Sequence, residues 1–239
     1  MSNFNNQNAS FASTASRTTY DVGLRAYMVK VYNFMSVALA ISGIVAFLTS
    51  SSPQLMQLIF GTPLSWIVML APLGFVFFFS AKLHSVTGEK AKNYLWIFSA
   101  LMGLSLSTIF VAYTGTSIAR VFFISASTFG AMSLYGYTTK KDLTGMGSFL
   151  FMGLIGLIIA SLVNLFLRSS ALEFALSFIG TLIFIGLTAY DTQKIKQMYY
   201  YSSGDSDFTT KLAVSGALNL YMDFINLFLM MLRLFGDRK

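Results

Sequence analysis

The chain has 239 residues, of which 55% are hydrophobic and only 10% are charged. A soluble domain carries about 25% charged residues, and here charge is absent over blocks that approach or exceed the length of a membrane span. A membrane β-barrel would show short alternating strands instead, so the composition predicts an all-α integral membrane protein. The net charge of +7 comes from single or paired basic residues between apolar runs, which favours membrane topology over nucleic-acid binding. The absence of cysteine excludes disulfides and thiolate metal sites.

The first 26 residues differ from the rest of the chain. They are rich in Asn, Ser, Thr and Ala and contain no apolar core. This composition predicts a disordered polar tail over residues 1–26. The remaining residues, 27–239, are predicted to form one seven-helix transmembrane domain.

Seven spans are predicted in chain order. The uncharged block 31–81 is too long for one helix, and Ser50–Pro53 and Gly61–Pro63 divide it because serine, glycine and proline favour turns. The charged segment LHSVTGEKAKN is predicted to be a loop. The predicted helices cover residues 28–49, 64–82, 94–113, 118–137, 146–167, 172–195 and 212–233.

The distribution of Lys and Arg predicts the orientation. Eleven of the 16 basic residues lie on the side of the N-terminus, and five lie on the other side. The N-terminus is therefore expected in the cytoplasm, and the inner (plasma) membrane is the expected location, since no organelle signal is visible. Arg233, Arg238 and Lys239 crowd the opposite side, and a re-entrant or tilted last helix would remove that conflict.

The last apolar run, residues 218–235 (LNLYMDFINLFLMMLRLF), contains one carboxylate, Asp223. Counted from residue 212, Asp223 lies about 16 Å along the helix, and Arg233 lies about 15 Å further on. Asp223 is therefore expected near the centre of a hydrocarbon layer about 30 Å thick. A carboxylate there costs about 2.5–3.5 kcal/mol on insertion scales, which makes Asp223 the first candidate for function.

Polar residues form one stripe on each of the last two predicted helices. Such faces are expected to meet inside the bundle, because lipid offers no hydrogen-bond partners. If Asp191 and Asp223 meet, they are expected to share one proton and so to couple pH to helix packing. The stripes consist of Ser177, Thr181, Thr188 and Asp191 on the sixth helix and Ser215, Asn219, Asp223 and Asn226 on the seventh.

Structural explanations remain open for both aspartates. Asp191 lies near the end of its predicted helix, where it would cap the helix or pair with Lys194 three residues later. Asp223 would serve as a hydrogen-bond anchor without any part in transport.

Three segments together resemble the Bax inhibitor-1 family. They are YGYTTKKDL (residues 135–143), AYDTQKI (residues 189–195) and LYMDFINLFLMMLRLFG (residues 220–236). The resemblance extends over essentially all of the chain after the tail and is typical of a bacterial member. It implies six helices around a central seventh.

The resemblance also implies a function. Family members are described as pH-sensitive calcium leak channels, eukaryotic members as suppressors of stress-induced death, and bacterial members as modulators of a membrane-bound protease. The paired aspartates of the family correspond to Asp191 and Asp223 here, as a proton-responsive latch. Ca²⁺ is then the permeant ion, with no resident cofactor or assigned metal ligand.

Two positions depart from the family pattern. Lys82 is the candidate basic partner at the end of the second helix, and lysine lacks the bidentate fork of arginine. Met102 occupies the place of an acid that many members carry early in the third helix. The path therefore has fewer hard oxygen ligands for calcium.

The leading hypothesis is a cation leak gated by the aspartate pair. The alternative is a non-transporting regulator that binds other membrane proteins, such as a membrane-bound protease in a stress response. A presenilin-like aspartyl protease is disfavoured because the GxGD motif is missing before Asp223, where the sequence reads Leu220-Tyr221-Met222. The protein is therefore expected not to be an enzyme.

Overall fold

The computed structural model describes the backbone of residues 3–83, 85–201 and 205–239, and the side chains of residues 21–83, 85–200 and 205–239. Over these residues the fold is helical, with a short 3₁₀ turn at Tyr199–Tyr201. The helices are α1 (Asn3–Ser50), α2 (Pro53–Phe60), α3 (Leu64–Lys82), α4 (Gly88–Ala112), α5 (Gly115–Thr138), α6 (Thr144–Leu167), α7 (Ser170–Met198) and α8 (Ser206–Phe235).

The prediction of seven spanning helices is confirmed. Seven helices in the described part of the chain are long and apolar enough to cross a membrane, and the first of these spans is Asp21–Ser50 within α1. The bounds of α3 coincide with the predicted 64–82. The sixth and seventh predicted helices correspond to α7 and α8.

Two helices begin six residues earlier than predicted because of caps in charged segments. The Thr87 hydroxyl accepts a hydrogen bond from the Lys90 backbone N–H (3.4 Å), so α4 begins at Gly88 rather than at residue 94. Asp205 accepts from the Asp207 N–H (2.8 Å), so α8 begins at Ser206 rather than at residue 212.

The segment predicted as a turn between the first two spans contains the additional helix α2. Ser52 caps it by accepting from the Leu55 N–H (3.4 Å), and Pro53 occupies its first turn, where proline is tolerated. The breaker residues thus divide the spans as predicted, but they also start an eight-residue helix.

The bounds of α1 include most of the predicted tail. Its side chains are described from Asp21 onward, and Leu24 is already part of the core at 5% exposure. The packed domain therefore includes residues before the predicted boundary at 27. The disorder of residues 1–26 stays a prediction, and the side chains of residues 1–20 lie outside the described part.

α8 is the central helix, as the family resemblance implies. In its most apolar stretch 67% of the residues are buried, compared with 6–39% in the other six spans. Helices α1, α4, α5 and α7 pack directly on α8, whereas α3 packs on α4 and α6 packs on α7. Asp223 is therefore carried on the helix that has the least contact with lipid.

Glycine sets the distance between α5 and α7. A Cβ on Gly136 would meet the backbone of Ala189, so the two helices touch through their backbones at this point. Gly130 lies on the same helix, yet a Cβ there would meet nothing within 4 Å.

Replacing Gly136 with alanine is expected to lower stability by about 1–3 kcal/mol, because the helix backbones must separate. Gly130→Ala is the matched control, and it should leave stability unchanged or raise it by up to about 1 kcal/mol, since alanine favours helix. Thermal unfolding in detergent measures both. Equal melting temperatures for the two variants would contradict the close approach.

Candidate functional site: a buried carboxyl pair and the cavity beside it

The structure brings Asp191 and Asp223 together. Asp223 is 6% exposed on α8, and its carboxyl group lies beside the Asp191 carboxyl on α7, close enough for the two groups to interact. Among the described residues, Asp223 Oδ2 has no hydrogen-bond partner of its own. Two acidic groups in contact hold each other only when a proton lies between them, because two negative charges repel.

Lys194 is the cation that acts on this pair. It lies one turn beyond Asp191 on α7 and interacts with it electrostatically, while its ammonium is 5.9 Å from the centre of the Tyr190 ring. Within the described residues, no other charged side chain acts on either aspartate. Lys82 is exposed at the end of α3, and its partnership with the pair stays a prediction.

The segment around Asp191 is fastened to the end of α5 and the α5–α6 loop. The buried Gln193 accepts from the Leu143 N–H (2.9 Å) and donates to the Lys141 carbonyl (2.8 Å). Lys196 donates to the Tyr137 carbonyl (2.8 Å). Two of the segments that carry the family resemblance, 135–143 and 189–195, therefore meet in space.

The segment around Asp223 is fastened to α1 and α4 by a buried network. The Tyr221 hydroxyl is 2.7 Å from Ser42 Oγ, and Ser42 Oγ is 2.7 Å from the Ser99 carbonyl. The Tyr221 ring also packs edge-on against Phe98, with ring centres 5.6 Å apart. Sequence reasoning missed this network, although isolated serines in apolar spans were its visible signal.

The rest of the two polar stripes does not converge on the pair. Thr181 and Thr188 donate to carbonyls of their own helix, at Ser177 (2.8 Å) and Phe184 (2.7 Å). Asn219 is half-buried, one turn before Asp223, and Asn226 lines a cavity on the other side of it. The stripes thus meet at their carboxylates.

The cavity lies between α3, α4 and α8 and has a volume of about 610 Å³. It extends from Met222 and Asn226, next to Asp223, towards Arg233 near the end of α8. Its wall on α4 includes the hydroxyl groups of Ser105 and Thr108, and it also includes Met102, where the family resemblance implies an acid in many members. Neither carboxyl lines the cavity, which follows α8 from the turn around Asp223 towards the C-terminal end of the helix.

A proline shapes one wall of this cavity. Pro72 lies inside α3 and has no N–H, so the carbonyl of Val68 loses its partner within the helix. Ser105 on α4 donates its hydroxyl to that carbonyl at 2.6 Å. A neighbouring helix thus satisfies a backbone group that lipid cannot satisfy.

The C-terminal segment explains much of the positive charge that crowds this side. Arg238 pairs with Glu173 (2.9 Å), Arg120 pairs with Asp237 (2.9 Å), and Lys239 donates to the Phe110 carbonyl (2.7 Å). Arg233 lines the cavity and makes no ion pair with the described residues.

A metal centre is not visible in the described part of the chain, where no group of three His, Asp or Glu side chains converges. Calcium takes 6–8 oxygen ligands. The two carboxyls and the cavity wall offer fewer oxygen atoms than that.

The fold and the site define a multipass α-helical membrane protein with an acidic pair at the centre of its bundle. Residues 24–239 match the family model described as "Inhibitor of apoptosis-promoting Bax1". The chain therefore belongs to the Bax inhibitor-1 family.

Relatives in other bacteria match over nearly their whole length. The protein RP147 of Rickettsia prowazekii is 52% identical over 95% of this chain and 95% of its own. The inner membrane protein YbhL of Escherichia coli (strain K12) is 47% identical over 91% of this chain and 94% of its own. A membrane protein of Streptococcus pyogenes serotype M1 is 37% identical over 92% of this chain and 96% of its own.

Replacing Ser105 with alanine is expected to destabilise the protein by about 1–2 kcal/mol, because the Val68 carbonyl is left without a partner. Thr108→Ala is the matched control on the same helix, since Thr108 donates only to a carbonyl of α4. Thermal unfolding in detergent tests the pair of variants. If Thr108→Ala lowers stability as much as Ser105→Ala does, the contact between Ser105 and the Val68 carbonyl contributes nothing to stability.

Proposed function

We propose that this protein is a pH-sensitive cation leak, with Ca²⁺ as the permeant ion and Asp191 and Asp223 as the gating pair. The observation that carries the proposal is the interaction between two acidic side chains at the centre of the bundle, one of them on the helix that also lines a cavity. Membership of the Bax inhibitor-1 family supports the same assignment.

The proposed mechanism depends on one shared proton. While the proton lies between the carboxyls, α7 and α8 are held together beside the inner end of the cavity. Its loss leaves two like charges in contact, which repel by about 4 kcal/mol at 4 Å for an effective dielectric constant of about 20. Flux is therefore expected to rise with pH.

The chemistry of the proposed path favours a leak over a selective calcium channel. Ser105, Thr108 and Asn226 offer neutral oxygen atoms, and Arg233 places a positive charge in the outer part of the cavity. Without the acid that Met102 replaces, a calcium ion would bind weakly and leave readily.

We further propose the inner (plasma) membrane, with the N-terminus in the cytoplasm. The name of the Escherichia coli relative supports the membrane, and the excess of Lys and Arg on the N-terminal side supports the orientation. In this orientation the cavity between α3, α4 and α8 lies in the outer half of the bilayer.

A regulator that binds membrane proteins, such as a membrane-bound protease, is the second candidate. Only 6% of the most apolar stretch of α6 is buried, so nearly the whole helix is available to lipid or to a partner helix. Co-purification of a membrane protease that survives Asp191→Asn with Asp223→Asn, without ion flux, would favour this role.

The carboxyl pair is proposed to act in gating and not in hydrolysis. An aspartyl protease uses two carboxyls that share a proton and activate a water molecule, one acting as base and the other as acid. The GxGD motif of presenilin-like proteases is missing here, since Leu220-Tyr221-Met222 precedes Asp223. Cleavage of a helical reporter peptide that required both aspartates would contradict the assignment.

Asp223→Asn is expected to abolish the pH dependence of calcium flux, because the amide cannot lose a proton. The measurement is dye-reported calcium entry into liposomes that contain the purified protein, across pH 5–8. Asp142→Asn is the control, since Asp142 is an exposed carboxylate in the α5–α6 loop. Absent flux in the parent protein, or an unchanged profile in Asp223→Asn, would remove the leak proposal.

Met102→Glu is expected to raise calcium flux by about two- to tenfold, because it adds a hard oxygen ligand to the cavity wall. Met102→Gln controls for side-chain shape without charge. Initial rates of calcium entry, compared with those of potassium, measure the effect. An equal gain for glutamate and glutamine would show that packing rather than charge controls the rate, and an unchanged rate would place the path elsewhere.

A further inference from the structure

A second large cavity lies on another side of the bundle from the proposed path. It is a groove of about 1000 Å³ between α1 and α5, with Phe224 of α8 at its floor. Met35 and Leu39 line one wall, and Ala126 and Leu134 line the other. This α1–α5 groove is almost entirely apolar and faces the surrounding lipid.

Two glycines show that the groove is open space and not an interface between helices. A Cβ on Gly43 of α1 or on Gly130 of α5 would meet nothing within 4 Å. Elsewhere in the bundle, small residues permit close contact, as where Gly103 approaches the backbone of Ser42. Helix packing therefore does not explain the small residues of the groove.

One end of the groove is basic. Arg25 lies there, and it makes no ion pair with the described residues, including Asp21 one turn earlier. Tyr137 lines the same end, and the Lys196 ammonium is 5.1 Å from its ring centre. The pattern of a positive end followed by an apolar length is complementary to a phospholipid.

The size of the groove argues against a whole helix within it. Arg25 and Gly43 are about 27 Å apart along α1, and a helix of that length and about 11 Å diameter occupies roughly 2,500 Å³. The groove is smaller than that. An acyl chain is thinner, and about 15 Å of depth brings it from the headgroup level to the midplane.

We infer that the α1–α5 groove binds a phospholipid, with its phosphate at Arg25 and an acyl chain lying against Ser36 and Gly130. The inference does not depend on the proposed leak. Gly130 is seven residues from Tyr137, about 10 Å along α5, which is within the depth that one acyl chain covers.

The experiment uses the full chain, purified in mild detergent, stripped of lipid and titrated with 1-palmitoyl-2-oleoyl-phosphatidylglycerol under native mass spectrometry. One lipid should bind, and Gly130→Leu and Ser36→Leu, on opposite walls, should each weaken binding by about tenfold. Gly156→Leu is the control, because Gly156 is an exposed helix glycine outside the groove, and a Cβ there would meet nothing within 4 Å. Arg25→Gln should weaken binding as well.

Further arms separate the alternatives. Melting temperatures identify any variant that fails to fold. If one leucine variant fails, lipid binding by the leucine variant on the opposite wall tests the inference. If inorganic phosphate competes with the lipid and the leucine variants bind the lipid as well as the parent does, the groove has a phosphate site without an acyl chain. That result would overturn the inference. A dimer of the parent protein that dissociates in Gly130→Leu, with lipid binding unchanged, would assign the groove to a second copy. Equal lipid binding by the parent protein and all variants would also overturn the inference of a lipid site.

Discussion

The absence of water from the bilayer core is the constraint on which this structure depends. Each buried polar group must find its partner inside the bundle, and an ionised side chain such as a carboxylate is among the most costly groups to place there. Asp223 meets this constraint on α8, the most buried of the seven spans, where the Asp191 carboxyl is its neighbour. The same constraint explains why Ser105 donates to the carbonyl that Pro72 leaves free.

Around the Asp191–Asp223 pair, the neutral hydrogen bonds and the contact between ionisable groups join different elements of the fold. Gln193 holds α7 to the α5–α6 loop, and Tyr221 joins α8 to α1 and α4 through Ser42. Neither contact changes its charge with pH. The acidic groups lie where α7 meets α8, so a change of protonation would alter that contact while the other anchors remain. This separation is what the proposed gating requires.

α8 also divides two openings of different chemistry. The cavity towards α3 and α4 has neutral oxygen atoms and Arg233, whereas the α1–α5 groove is apolar with Arg25 at one end. An ion needs the first kind of surface, and a lipid needs the second. Asp223 is flanked by both, since Met222 lines the cavity and Phe224 lines the groove.

The sequence by itself determined the helical membrane fold, the number of spans and the family, because long charge-free blocks and short motifs are local properties of the chain. It also indicated that Asp191 and Asp223 belong together, since their stripes follow helical spacing. Only the tertiary structure decided the partners: Tyr221 with Ser42, Ser105 with the Val68 carbonyl, and Arg238 with Glu173. These contacts join residues far apart in the chain. Their geometry, like the open space at Gly130, depends on how the helices pack, which local patterns do not specify.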